Sequence, residues 1–297
     1  MLNLERVVTE YKHNSKLIER ESSMGGCLSG EVFKVDLNGD TYKIRDCNVN
    51  PEKITIYKKY RLSKDYKINN AKLIPLWMRH LSDHGLEELV PKLLGVKDNI
   101  LVIEWINGRE FKTNESEQII EKLGYNIGRI HQLPLPVWSF IQTLDSVDRS
   151  FQFNLEKILQ HYPNLKSLET LYYRLKPRKL ILGCVYGSLL THNLMITEDN
   201  QIKFVDEENW KVDLPLGELV IPSTYWFSEG QRQAFFDGYL KSGIDPRTFN
   251  EQENFVVLFN LVKWLNRRLF FGKNENPDIL RKFSFLEKLQ TEKCTAA

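Results

Sequence analysis

The chain has 297 residues, 42% of them hydrophobic and 27% charged, which is enough apolar material for a large core and too much for a disordered polymer. Lys and Arg number 41 against 39 Asp and Glu, so a net charge of +2 gives no global electrostatic reason to bind nucleic acid or acidic lipid. Cys27, Cys47, Cys184 and Cys294 are scattered without C-x-x-C spacing, the usage of a reduced cytoplasmic protein rather than a disulfide scaffold.

The opening segment MLNLERVVTEYKHNSKLIERES alternates charged with apolar residues and has no uninterrupted apolar run. It predicts a first helix, and neither a secretory signal nor a membrane span. In GGCLSGEVFKVDLNGDTYKIRDC, glycines precede a period-two run and a turn at Asn38-Gly39, the signature of a β-hairpin. Residues 68–85 carry apolar side chains at three- and four-residue spacing and predict a helix that stops at Gly85, with Pro75 setting or kinking its start. VPKLLGVKDNILVIEWINGREF predicts two short strands around KDN and then a polar linker at Asn107-Gly108.

Beyond the linker the periodicity becomes helical. Ile119, Ile120, Leu123, Ile127 and Ile130 share one face of a helix, and amphipathic runs recur at 151–175 and 228–241. Residues 253–271 are apolar on more than one face yet broken by polar residues, which predicts a buried helix rather than a span. The chain therefore divides into a β-rich N-terminal lobe over 1–107 and a mainly helical C-terminal lobe over 108–297, an α+β architecture.

Three segments carry residues suited to phosphate chemistry. Gly25, Gly26 and Gly30 would let backbone N–H groups approach phosphate oxygens, though the same run also reads as a plain hairpin turn, and it lacks the Walker pattern. Lys43 and Arg45, two residues apart on one strand, share a face and could meet phosphates or simply water. YGSLLTHNLMITEDNQIKFVDEEN reads as a loop, a strand, a turn and a second strand ending at Asp206, which brings Asn193 and Asp206 to adjacent strand tips as a hard-oxygen pair suited to Mg²⁺. His80 and His84 have i, i+4 spacing without a third zinc ligand, and no nucleophile elbow is present.

The order of the glycine hairpin, YKIR, VPKLLG, LVIEWINGREF, LGYNIGRIHQLP, YGSLLTHNLM and IKFVDEEN resembles the aminoglycoside phosphotransferase and choline kinase-like family over residues 22–225. The resemblance implies a two-lobed protein-kinase-like fold with ATP and Mg²⁺ between the lobes. It places the glycines and Arg45 on the phosphates, backbone groups around Glu104 to Ile106 on the adenine, and Asn193 and Asp206 on the metal. His131 is a packing residue in that scheme. The family's catalytic loop, H-G-D-x-x-x-x-N, falls here on Tyr186, Gly187, Ser188 and Asn193.

Two departures bear on activity. Ser188 stands where the family has the aspartate that accepts the substrate proton, and a hydroxyl without an activating partner is no base at neutral pH. Between Asp65 and Asp83 there is no carboxylate, so the helix that usually supplies a glutamate to the phosphate-binding cation has none to give. A general base is worth about 10²–10⁴-fold, so its loss leaves a poor kinase and not necessarily a dead one. His192, beside Asn193, is a candidate substitute, as are Asp206 and Glu207 nearby. A nucleotide-binding pseudokinase or weakly active protein is the expectation, with a small-molecule substrate or a protein partner and with neither nucleic acid nor membrane. An active phosphotransferase acting on a small-molecule hydroxyl and a scaffold without nucleotide are the alternatives. Asp213 and Glu218, in the segment after Asp206, could attract a cationic substrate or belong to a solvated loop.

Overall fold

The computed structural model describes residues 4–14, 16–19, 31–37, 39–47, 70–139 and 143–270. The glycine segment with Gly25, Gly26 and Gly30 lies outside the described residues.

After helix α1 (Leu4–Asn14), strands β1 (Lys16–Glu19), β2 (Glu31–Leu37), β3 (Asp40–Asp46), β4 (Leu93–Lys97) and β5 (Ile100–Glu104) form one antiparallel sheet in the order β1-β2-β3-β5-β4. Leu37 opposes Asp40 across a two-residue turn in which Gly39 has φ +87°, a conformation open to glycine and costly for most residues. Asp98 and Asn99 take positive φ between β4 and β5, residue types that tolerate the left-handed region. β5 is a run of four buried apolar residues because both its faces are covered. Ile100 and Val102 pack with Val35 and Ile44 under Val7 and Val8 of α1, whereas Leu101 and Ile103 join the larger core.

That larger core reaches the sheet through helix α2 (Asn70–Asp83), which presents Ile74, Trp77, Met78 and Leu81, and which ends before Gly85 at φ +68°. Pro75 lies inside α2, near its start.

Strand β6 (Arg109–Glu110) opens the second half, pairing with β8 (Leu194–Ile196), which pairs in turn with β9 (Ile202–Phe204); β7 (Gly183–Val185) pairs with β10 (Lys211–Asp213). Around these strands pack α3 (Glu117–His131), α4 (Leu144–Leu159), α5 (Ser167–Leu175), α6 (Leu216–Tyr225), α7 (Glu229–Lys241) and α8 (Glu253–Phe270). The fold is thus a β-rich lobe followed by a mainly helical one. The amphipathic run over 151–175 is not one helix: Pro163 opens a short 3-10 turn between α4 and α5, since its ring is not accommodated in a helix interior. Among the described residues no helix is long and apolar enough to cross a membrane.

Helices α3 and α7 approach closely because glycines face the opposing backbone. A Cβ on Gly124 would collide with the carbonyl of Phe235, and one on Gly238 with the carbonyl of Glu121. Backbone cannot give way as a side-chain tip can. Gly238→Ala is therefore expected to destabilise the protein by about 1–3 kcal/mol, read as a fall in the denaturant midpoint, despite alanine's higher helix propensity.

Candidate functional site

Strand alternation puts Ile44 into the α1 core and turns Lys43 and Arg45 to the opposite face of β3, where the helical half meets the sheet. There they meet the short 3-10 turn Glu207–Asn209 that follows β9. Lys43 Nζ donates to Glu207 Oε1 and Oε2 at 2.9 and 3.0 Å and to the carbonyl of Val205. Arg45 donates from Nη2 to Asp206 Oδ1 at 3.0 Å and from Nη1 to Glu208 Oε2 at 3.0 Å, and lies 3.6 Å from Glu207 Oε2. Glu207 is 0% and Arg45 2% exposed, so these charges have left water and depend on one another.

The loop after β7 is fixed from below. Glu218 of α6 accepts hydrogen bonds from the backbone N–H groups of Tyr186 (3.2 Å) and Gly187, and its Oε2 lies 3.1 Å from His131 Nε2; His131 Nδ1 is in turn 2.8 Å from the hydroxyl of Tyr239. Gly187 has φ +84°, and a Cβ there would collide with the carbonyl of Asn209, so the loop needs glycine on two counts. From above, the buried Tyr186 hydroxyl donates to the carbonyl of Asn193 (3.3 Å) and accepts from the N–H of Asp206 (3.0 Å). Burial, followed by the charge of Asp206, pushes the Tyr186 phenol well up, so it stays neutral. Asn193 donates from Nδ2 to the carbonyl and the Oγ of Ser188, at 3.0 and 3.1 Å.

The sequence profile of the phosphotransferase enzyme family, known as APH, matches residues 55–251, well over half of the chain. The chain belongs to this family. Its fold is similar to that of the choline kinase LicA from Streptococcus pneumoniae, with 11% identity, a TM-score of 0.60, and coverage of 96% of this chain and 95% of that one. It is similar to the macrolide 2'-phosphotransferase MphH from Brachybacterium faecium, with 11% identity, a TM-score of 0.61 and coverage of 92% and 97%. It is also similar to the spectinomycin phosphotransferase APH(9)-Ia, solved with ADP and spectinomycin, with 14% identity, a TM-score of 0.54 and coverage of 97% and 94%. No curated protein sequence matches the chain. The family membership and these likenesses make the two lobes those of a kinase-like small-molecule phosphotransferase fold.

Within that phosphotransferase frame, Ser188, Asn193, Asp206 and Arg45 come together around Tyr186, while His192 is exposed on the loop between them. Glu104 ends β5 on the surface with its N–H taken by the carbonyl of Lys92 at 2.8 Å, and the half-buried Ile106 lies in the irregular stretch that follows. Asp213 and Glu218 are neither solvated nor open to a substrate. Burial opposes the Asp213 charge, but Lys211 and Lys263 outweigh it and hold the carboxyl below its ordinary range, and Glu218 is committed to the loop. Cys47 and Cys184 are buried thiols pushed up to about 12 by that burial, and so are inert at neutral pH.

The donor set does not suit a hard divalent cation as it stands. Asp206 Oδ1 accepts from Arg45 and Oδ2 from Asn209 Nδ2, so a divalent ion would share this carboxylate with a buried guanidinium, and Asn193 and Ser188 bring no charge of their own. The sequence named Tyr186 and Glu218 without their roles: Tyr186 joins two loops through its hydroxyl and Glu218 holds backbone N–H groups, partners that leave no mark in a sequence.

Removing one member of a buried ion cluster strands the others. Glu207→Gln is expected to cost about 3–5 kcal/mol of stability, measured by urea unfolding, whereas breaking an exposed pair such as Lys97 with Glu5 should leave the unfolding midpoint nearly unchanged.

Proposed function

We propose that the chain is a nucleotide-binding member of the phosphotransferase family that transfers phosphate slowly or not at all, a pseudokinase in effect. ATP is its ligand, held between the lobes with its adenine near Ile106 and its phosphates toward Lys43 and the 186–193 loop. The observation that carries this reading is Ser188, whose Oγ accepts a hydrogen bond from Asn193 in the place where the family keeps its proton-accepting aspartate. The complexed neighbour with ADP supports the choice of ligand. His192 is exposed on the same loop and has no described partner to orient it toward a substrate hydroxyl, which argues against its serving as the substitute base.

A second reading, slow transfer to a small-molecule hydroxyl, draws on Glu218 and Tyr186. Positioning supplies most of the catalysis of phosphoryl transfer, and both residues keep the loop in shape without the aspartate. Among the described residues near the loop nothing selects a particular acceptor, and the buried Asp213 and Glu218 remove the acidic code for a cationic one. A role in the cytoplasm fits the cysteine usage.

Calorimetric titration with ATP tests the binding, and ADP release with water as acceptor tests the chemistry. We expect saturable ATP binding, weakened by Lys43→Met, and hydrolysis close to background. Ser188→Asp should raise hydrolysis, by up to about 10²–10⁴-fold where the base is the missing part. Rapid hydrolysis by the unmodified chain, with no gain from Ser188→Asp, would remove the pseudokinase reading.

A further inference from the structure

We propose that the phosphate-binding centre of this chain excludes a divalent metal, because Arg45 is the cation resident at Asp206. The proposal rests on the family reading of Asp206 as the metal carboxylate and departs from it on the geometry.

Both oxygens of Asp206 are already engaged, since Arg45 Nη2 donates to Oδ1 at 3.0 Å and Asn209 Nδ2 donates to Oδ2, so a metal would have to share the carboxylate with a guanidinium cation. Arg45 is not a surface side chain resting there. It is 2% exposed, and Glu208 at 3.0 Å and Glu207 at 3.6 Å hold the same guanidinium, so freeing Asp206 means dragging a buried cation away from two further carboxylates. Had Arg45 stayed in place, a divalent ion on Asp206 would stand within a few ångströms of a full positive charge.

The other expected ligand adds no charge. Asn193 gives its amide hydrogens to Ser188 and has only a neutral carbonyl oxygen for a metal, and Ser188 brings a neutral hydroxyl where the family's aspartate would have added a negative charge. Lys43 beside Glu207 adds a second cation to the group, giving two cations against three carboxylates before any ion arrives. A carboxylate cluster already this far neutralised has little attraction left for Mg²⁺, whose dehydration is itself unfavourable. The nucleotide taken by such a centre is the metal-free species.

Electron paramagnetic resonance of Mn²⁺, a surrogate for Mg²⁺ whose free-ion signal falls on binding, tests this on the full chain without nucleotide. The unmodified protein should leave the Mn²⁺ signal as Asp206→Asn leaves it. Arg45→Gln, which removes the resident charge and keeps the side chain's bulk, should bind Mn²⁺ more tightly by on the order of tenfold or more, and adding Asp206→Asn should abolish that gain. Mn²⁺ binding by the unmodified protein that Asp206→Asn removes would overturn the proposal, as would a folded Arg45→Gln that binds no better than the unmodified chain. Should Arg45→Gln fail to fold, the comparison of the unmodified protein with Asp206→Asn decides by itself. ATP titrations in EDTA and in MgCl₂ separate the two readings. Equal affinities agree with the proposal, magnesium-dependent affinity contradicts it, and loss of binding in both buffers would fail the nucleotide reading, leaving the Mn²⁺ result to judge the metal.

Discussion

The arrangement of this protein turns on a buried group of opposite charges. Two cations on one face of β3 and three consecutive carboxylates after β9 are mutually dependent, since either set alone would be charge without water. The partners are more than 150 residues apart in sequence, so the contact ties the sheet to the helical half and belongs to neither alone. Hydrophobic burial through α2 brings the halves together without regard to direction, and the ion group fixes their register. Among the described residues the next helix after β3, α2, is buried on Ile74, Trp77, Met78 and Leu81, and the carboxylates that meet Lys43 and Arg45 come from the turn after β9.

Much of the fold was legible in the sequence where a local rule had no competitor. Gly39, Gly85 and the Asp98-Asn99 pair mark places where the backbone needs positive φ, and the turns fall there. The four apolar residues of β5 announce a strand covered on both faces, and the period of Ile119 to Ile130 announces the buried face of α3. The run over 151–175 misled because its apolar spacing continues across Pro163, and the break is a matter of ring sterics rather than of periodicity.

The site was legible in its members and not in its wiring. Asn193 and Asp206 were brought together as strand tips, Ser188 entered through the family resemblance, and Lys43 with Arg45 through strand alternation. What the sequence could not convey was which charge answers which, because ion pairing between distant segments leaves no local pattern. Glu218 shows the same limit: a glutamate in a helix carries no mark that it will hold two backbone N–H groups across the core.

The Tyr186 hydroxyl, joined to the carbonyl of Asn193 and the N–H of Asp206, has a consequence for how such a protein can change. It holds the two loops together through backbone atoms, and Glu218 supports the same loop through backbone atoms from the other side. The side chain at position 188 meets this frame at one point, the Asn193 amide. A substitution there changes what the loop offers to the cleft while the backbone supports of the loop remain.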